Sequence, residues 1–98
     1  MYINLTANYI ALANHGKQAL ELCENNSFDL VTCITAIHNT KNPETAIKEI
    51  KRVSKKKVIV SILKKSPKLN NLIFLINKHL KGEFKDQGVD LVFFGKKE

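Results

Sequence analysis

The side chains that could do chemistry in this chain stand just after two apolar segments. His38 follows the run Cys33-Ile34-Thr35. The second apolar segment is followed by three lysines, Lys64, Lys65 and Lys68. If both segments are parallel β-strands, their ends meet at the edge where open α/β sheets place ligands. These residues are therefore candidates for contacting a ligand. The alternatives are a loop histidine that packs or faces solvent and a solvated lysine surface.

The cysteines indicate no redox or metal chemistry. Cys23 and Cys33 are the only two, and they form no Cys-x-x-Cys pair. Two thiols make neither a disulfide framework nor a zinc site. Nothing near Cys33 in sequence lowers its thiol pKa, so a small core residue is the default reading. No apolar run approaches the roughly 20 residues of a membrane span. We expect a cytoplasmic protein with no membrane partner.

Positive charge is concentrated in one part of the chain. Residues 41–68 contain ten basic and two acidic residues, so this segment alone has a net charge of +8. The whole chain has a formal net charge of +7, so the other residues together carry −1. Such a segment can attract polyanions, including RNA. No aromatic residues interleave with the lysines that follow the second apolar segment, so their sequence does not indicate a platform for stacking bases.

Strand and helix patterns alternate along the chain. Apolar and β-branched runs predict strands, helical spacing of apolar residues predicts helices, and Asn42-Pro43-Glu44 is a typical helix start. The predicted elements are a strand at Tyr9–Ala13, a short helix at Lys17–Glu24, a strand at Phe28–Ile34, a helix from Pro43 to Val53 closed by Lys55-Lys56-Lys57, a strand at Lys57–Leu63, a helix from Ser66 that Gly82 can terminate, and a hairpin of Glu83-Phe84-Lys85 with Val89–Phe94. This order predicts a single α/β domain over residues 1–98, built from parallel βαβ units.

Five segments resemble, in order and spacing, the second half of a class I S-adenosylmethionine-dependent methyltransferase. The resemblance covers about residues 16 to 97. It is carried by Asn26-Ser27-Phe28-Asp29-Leu30-Val31, by Cys33-Ile34-Thr35-Ala36-Ile37-His38-Asn39, by Asn42-Pro43-Glu44 through Val53, by Val58-Ile59-Val60-Ser61, and by Asp90-Leu91-Val92-Phe93-Phe94-Gly95-Lys96-Lys97. It implies a partial Rossmann-like methyltransferase sheet, mostly parallel, with a C-terminal antiparallel hairpin.

The resemblance also implies a set of cofactor-binding positions. Lys17 and Gln18 align with the adenine edge of S-adenosylmethionine, the family's cofactor. The residues that align with its methionyl end and methyl group are Cys33, Ile34, Thr35 and His38. For Thr32, Cys33 and Thr35 the alternative is ordinary strand packing with satisfied hydroxyl groups.

Two departures from the family pattern bear on activity. The family holds its cofactor with a glycine-rich loop, because glycine lets the backbone approach the ligand. The four glycines here form no such loop, and Lys17 replaces an aspartate but cannot accept a hydrogen bond. We expect a methyltransferase-like domain that binds no cofactor and is inactive alone. The alternatives are a subunit of a split methyltransferase and a basic nucleic-acid-binding module.

The missing half of the family fold would also leave a sheet edge open. In the family, the first strand pairs with the strand that corresponds to Phe28–Ile34. An open, apolar, parallel edge is a liability that proteins cover. We expect it to be covered by the Tyr9–Ala13 strand, by a second copy in a homodimer, or by a partner chain that supplies the missing strands.

Overall fold

The computed structural model describes residues 2–4, 26, 28–34 and 42–96. The described elements, numbered in chain order, are β1 (Tyr2–Asn4), β2 (Phe28–Ile34), α1 (Pro43–Val53), β3 (Ser54–Leu63), α2 (Leu69–His79), β4 (Gly82–Gln87) and β5 (Asp90–Lys96). The α/β class predicted from the sequence is confirmed.

Helix α1 begins as its sequence predicts. Asn42 precedes it, and the Asn42 Oδ1 atom accepts a hydrogen bond from the backbone N–H of Thr45 at 3.4 Å. Pro43 occupies the first helical turn, where a missing N–H costs nothing. The buried side chains of α1 form the apolar stripe predicted from the spacing: Ala46, Ile47, Ile50 and Val53.

Both helices pack on the same face of the sheet. Side chains alternate between the two faces of a strand, and β3 places Val58, Val60 and Ile62 on the face that packs against the helices. The register aligns Cys33 of β2 and Phe93 of β5 with Val60, so both point to that face. These side chains form one core with the buried stripes of α1 and α2.

The sheet is mixed, which corrects the expectation of a mostly parallel sheet. Its strand order is β1-β2-β3-β5-β4. The pairs β1–β2 and β2–β3 are parallel, whereas β3–β5 and β5–β4 are antiparallel. The short turn between β4 and β5 reverses the chain, so the predicted hairpin forms and adds two antiparallel pairings to the two parallel ones.

Several element boundaries differ from the predicted ones, among them those of the last strand, which was predicted at Val89–Phe94 and runs from Asp90 to Lys96. The three consecutive lysines Lys55–Lys57 lie within β3, which begins at Ser54 directly after α1. Ser54 is buried and pairs with Phe28 of β2, so the backbone is already extended there. Helix α2 begins at Leu69 rather than at Ser66 and ends at His79, and Gly82 is the first residue of β4 rather than a helix stop.

The strand on the outer side of β2 comes from an unpredicted segment. Tyr2, Ile3 and Asn4 pair in parallel with Leu30, Val31 and Thr32, which is the pairing that the sequence analysis left open. The expectation that the Tyr9–Ala13 strand covers this edge, and the predicted helix at Lys17–Glu24, lie outside the described residues. Three residues are too few to show a strand period in sequence.

Candidate functional site

The carboxyl ends of β2 and β3 form the edge at which the sequence analysis placed the ligand. Ile34 ends β2 and pairs with Ser61, so β3 continues two residues further, to Leu63. The turn between β4 and β5 lies at the same edge, because the backbone N–H of Lys64 donates to the carbonyl of Val89 at 3.0 Å. Among the described residues, this edge therefore brings together the ends of β2 and β3 and one hairpin turn, with the end of β1 beside Thr32.

The predicted cofactor residues fall into two groups. Cys33 and Ile34 lie at the end of β2, and Cys33 is fully buried in the hydrophobic core. Its burial is what the packing alternative predicts, although the prediction of a cofactor contact remains untested. The other four predicted positions, Lys17, Gln18, Thr35 and His38, lie outside the described residues.

The three lysines after β3 differ in their surroundings. Lys64 forms an ion pair with Asp86 at the end of β4. Asp86 also accepts a hydrogen bond from the backbone N–H of Gly88 at 3.0 Å. The Lys64 ammonium, followed by this N–H, lowers the pKa of Asp86. Lys65 and Lys68 are exposed. The predicted contact with an anionic substrate stays a prediction, and Lys64 would meet such a substrate while already paired.

One acidic side chain at this edge was not singled out in the sequence. The Oδ1 atom of Asp90 is buried and has no hydrogen-bond partner among the described residues. Asp90 pairs with Leu63, so it lies directly beside the carboxyl end of β3. A buried carboxylate oxygen usually has a partner, and this atom can accept a hydrogen bond from a ligand. No local pattern in the sequence distinguishes Asp90 from a turn residue.

The described glycines lie in the β4–β5 hairpin, where each has a structural role. Gly88 has a φ of 84°, the left-handed conformation that glycine adopts without strain. A Cβ atom on Gly82 would lie 2.7 Å from the Cα of Gly95, and one on Gly95 would lie 2.6 Å from the ring of Phe93. The described residues at the ends of β2 and β3 therefore do not fit S-adenosylmethionine through a glycine backbone cradle.

A charged cluster joins α1 to α2 away from the strand ends. The Oε2 atom of Glu44 lies 2.7 Å from Nε2 of His79 and 3.0 Å from Nζ of Lys78. These hydrogen bonds, the one with His79 first, lower the pKa of Glu44 from 4.5 to about 2. In the sequence, His79 is distinguished only by its place in the last turn of α2. Its partner lies 35 residues earlier in the chain, too far for a local pattern to indicate.

We expect the Glu44 cluster to stabilise the fold at neutral pH but not in strong acid. Because the pKa of Glu44 is lower in the folded state, its contribution is present above pH 4.5 and is lost as the pH falls towards 2. Urea unfolding at a series of pH values measures this for the natural chain and for Glu44→Gln. The difference in free energy of unfolding between these two chains should shrink as the pH falls from 4.5 towards 2. His79→Gln should reduce this pH-dependent part of the stability of the natural chain. An equal difference at neutral pH and near pH 2 would contradict the assignment.

Two classes of site find no support in the described residues. Among them, no group of three or more histidine, cysteine, aspartate or glutamate side chains is arranged to hold a metal ion. No helix in the described part of the chain is both long enough and apolar enough to cross a membrane.

Comparison with known proteins bears on this architecture. A family model described as a methyltransferase domain matches residues 5–62, which is more than half of the chain. No curated protein sequence matches the chain significantly.

Solved structures of methyltransferases share the fold. A SAM-dependent methyltransferase from Thermotoga maritima, described as a possible histamine N-methyltransferase, is 21% identical with a TM-score of 0.62 over 78% of this chain and 59% of its own. A SAM-dependent methyltransferase from Aquifex aeolicus is 16% identical with a TM-score of 0.59 over 76% of this chain and 48% of its own. The T. thermophilus 16S rRNA N2 G1207 methyltransferase, solved with AdoMet and guanosine, is 14% identical with a TM-score of 0.63 over 81% of this chain and 22% of its own.

The parallel β2–β3 unit with its crossover helix, extended by an antiparallel hairpin, defines a Rossmann-like α/β domain of the methyltransferase type. The chain belongs to the class I SAM-dependent methyltransferase family, as its sequence resemblance predicted. It spans 59% of the Thermotoga maritima protein and 48% of the Aquifex aeolicus protein.

Proposed function

We propose that this chain is a methyltransferase-like domain that does not bind S-adenosylmethionine by itself and is inactive alone. The supporting observation is the placement of its glycines. Three of the four are Gly82, Gly88 and Gly95, and all three are committed to the β4–β5 hairpin. The remaining glycine, Gly16, cannot form a glycine-rich loop alone.

Two further observations support the proposal. Cys33, which aligns with the methionyl end of the cofactor, is fully buried and is surrounded by core side chains. Lys17 stands where the family resemblance expects an aspartate near the adenine amino group, and an ammonium cannot accept a hydrogen bond from that group. Both the backbone cradle and the adenine acceptor would therefore have to come from other residues.

Isothermal titration calorimetry tests the proposal directly. S-adenosylmethionine is titrated into the purified chain, with the Aquifex aeolicus methyltransferase as the positive control. We expect no saturable heat from this chain under conditions in which the control gives a stoichiometric isotherm. Stoichiometric uptake by the chain would contradict the proposal.

A split methyltransferase is the second candidate function, and the position of β1 favours it. Among the described strands, β1 lies at the edge of the sheet and pairs with β2 over three residue pairs. An edge strand presents unpaired backbone groups to which a further strand can add. A partner chain, or a second copy of this chain, would then extend the sheet beside β1 and bring the cofactor cradle.

Sedimentation equilibrium run alongside the titration separates these sources. A homodimer has twice the chain mass of 11.1 kDa. The mass of one chain at high concentration would exclude the homodimer. Cofactor binding that appears only after a second polypeptide is added would support the split enzyme. If no added polypeptide restores binding, the result supports a domain that does not bind the cofactor.

A further inference from the structure

The adjacent residues Phe93 and Phe94 lie on opposite faces of β5. Phe93 is fully buried beneath the helices, whereas Phe94 is 40% exposed on the other face. Alternation along a strand forbids both rings from sharing one face. The antiparallel part of the sheet therefore presents an accessible aromatic ring, which the sequence alone could not assign to Phe94 rather than Phe93.

Lysines lie diagonally across the sheet from this ring and two residues further along β5, on the same face, whereas its direct cross-strand neighbours are Ile59 and Glu83. The antiparallel register places Lys85 of β4 opposite Val92 and Lys57 of β3 opposite Lys96. All three lysines are exposed, and Nζ of Lys85 lies 5.6 Å from the centre of the Phe94 ring. Among the described residues that line this region, Glu83 is the acidic one, and it lies directly opposite Phe94.

Two adjoining cavities extend the basic surface around the start of β4. Phe94 and Lys85 line a cavity of about 440 Å³, and Lys51 and Lys78 line a second cavity of about 330 Å³. The two cavities share Lys81 and Lys96. We call the residues around these two cavities the basic band: Lys51, Lys78, Lys81, Lys85, Phe94 and Lys96, of which Lys78 is already paired with Glu44. It lies at the opposite end of the sheet from Lys64, Lys65 and Lys68.

The arrangement of charge indicates an anionic partner. Lys57 and Lys96 face each other directly across β3 and β5. Like charges in this position destabilise a sheet pair, so the fold carries a cost that a bound polyanion would remove. Phosphate groups are suited to this role because several lysines can each contact one.

We propose that the basic band binds single-stranded nucleic acid. A base stacks on the Phe94 ring. The phosphates on either side of that base contact Lys85, Lys96 and Lys81, which lines both cavities. The aromatic ring favours a single strand over a duplex, because only an unpaired base can leave its neighbours and stack on a side chain. Lys85 moves from the ring to a phosphate, exchanging an exposed cation–π contact for a stronger charge contact.

Fluorescence anisotropy with a labelled single-stranded oligouridine tests this proposal on the purified chain. We expect Phe94→Ala to weaken binding about tenfold, which is within the range for losing one stacked base. We expect log Kd to vary linearly with log salt, and Lys85→Ala and Lys96→Ala to flatten that slope by about 0.7 each. Phe94→Trp should bind at least as tightly as the natural chain, because the larger ring stacks equally well.

Matched controls lie elsewhere on the same chain. Phe74 is 64% exposed on α2, so Phe74→Ala removes a ring that is more accessible than Phe94 and lies outside the basic band. The triple variant Lys64→Ala, Lys65→Ala, Lys68→Ala removes more charge from the opposite end of the sheet. Both should retain the affinity of the natural chain to within about twofold. The proposal is overturned if Phe94→Ala binds normally, if Phe94→Trp loses binding, or if either control weakens binding as much as the basic-band variants.

The test does not depend on cofactor binding. A chain that fails to bind oligouridine overturns the basic band and leaves the calorimetric result unaffected. Circular dichroism melting of each variant identifies changes that unfold the chain. If Phe94→Ala does not fold, the comparison between Phe94→Trp and the two lysine variants decides the outcome.

Discussion

Replacing Phe93 with alanine should lower the free energy of unfolding by about 3–5 kcal/mol. Phe93 is the largest fully buried side chain among the described residues. Its ring centre lies 5.0 Å from that of Phe84 with the planes tilted by 56°, a favourable aromatic arrangement. The alanine variant loses this contact and leaves a cavity between the hairpin and the helices, which the surrounding backbone can only partly close.

Urea unfolding followed by circular dichroism measures the effect. A small domain has a free energy of unfolding of about 5–15 kcal/mol, so this single change can remove a large fraction of the stability. Phe94→Ala is the matched control, since it removes the same ring from the opposite, exposed face. We expect the control to cost less than about 1 kcal/mol. Equal losses from the two variants would contradict the assignment of Phe93 to the core.

The second large effect is expected at Gly82. A Cβ atom there would collide with the backbone carbonyl oxygen of Phe94 and would lie 2.7 Å from the Cα of Gly95. Both neighbours belong to the backbone of β5, so neither can turn aside as a flexible side chain would. Gly82→Ala should therefore push β4 away from β5 and cost about 3 kcal/mol, the upper part of the range for overpacking.

Gly95→Ala provides the matched comparison. A Cβ atom there meets the Phe93 ring at 2.6 Å as its nearest neighbour, so most of the collision is with a side chain. Trimming that ring in a Phe93→Leu background should relieve Gly95→Ala more than Gly82→Ala, because at Gly82 the ring lies 2.9 Å from the Cβ position but the backbone of β5 lies closer. Double-mutant cycles from urea unfolding measure the two couplings. Equal relief at both glycines would show that the backbone of β5 yields, contrary to this prediction.

Gly82 and Gly95 affect both the stability of the hairpin and the proposed nucleic-acid surface on it. Gly82 and Gly95 allow β4, β5 and the Phe93 ring to approach closely, so they serve the hairpin. The same hairpin orients Phe94 and Lys85 towards the face opposite the helices, where the basic band is proposed. A variant that displaces β4 should therefore weaken oligouridine binding as well as stability, whereas a core variant that leaves the hairpin in place should change stability alone.

Local sequence patterns were sufficient for several elements. The Asn42 cap, Pro43 and the apolar stripe of α1 lie within a few residues of one another, and the structure confirms each of them. The β-branched run of β2 was placed at its correct bounds for the same reason. The family resemblance also followed from short segments in order, and the family model confirms it.

Other features depend on residues that are distant in the chain. The prediction that Lys55-Lys56-Lys57 closes the helix was wrong, because pairing with β2 holds the backbone extended from Ser54 onward. The strand at Tyr2–Asn4 exists through its pairing with β2, and its three residues carry no periodicity of their own. The predicted positions Lys17, Gln18, Thr35 and His38 remain predictions, since they lie outside the described residues.

The sequence by itself determined the alternation of strands and helices, the family, and the scarcity of glycines available for a cofactor loop, because each depends on residue type and local spacing. Only the tertiary structure decided that Phe93 is buried while Phe94 is exposed, that Lys64 meets Asp86, and that Glu44 meets His79. The physical reason is that strand register and helix packing, which bring together residues far apart in the chain, set these contacts.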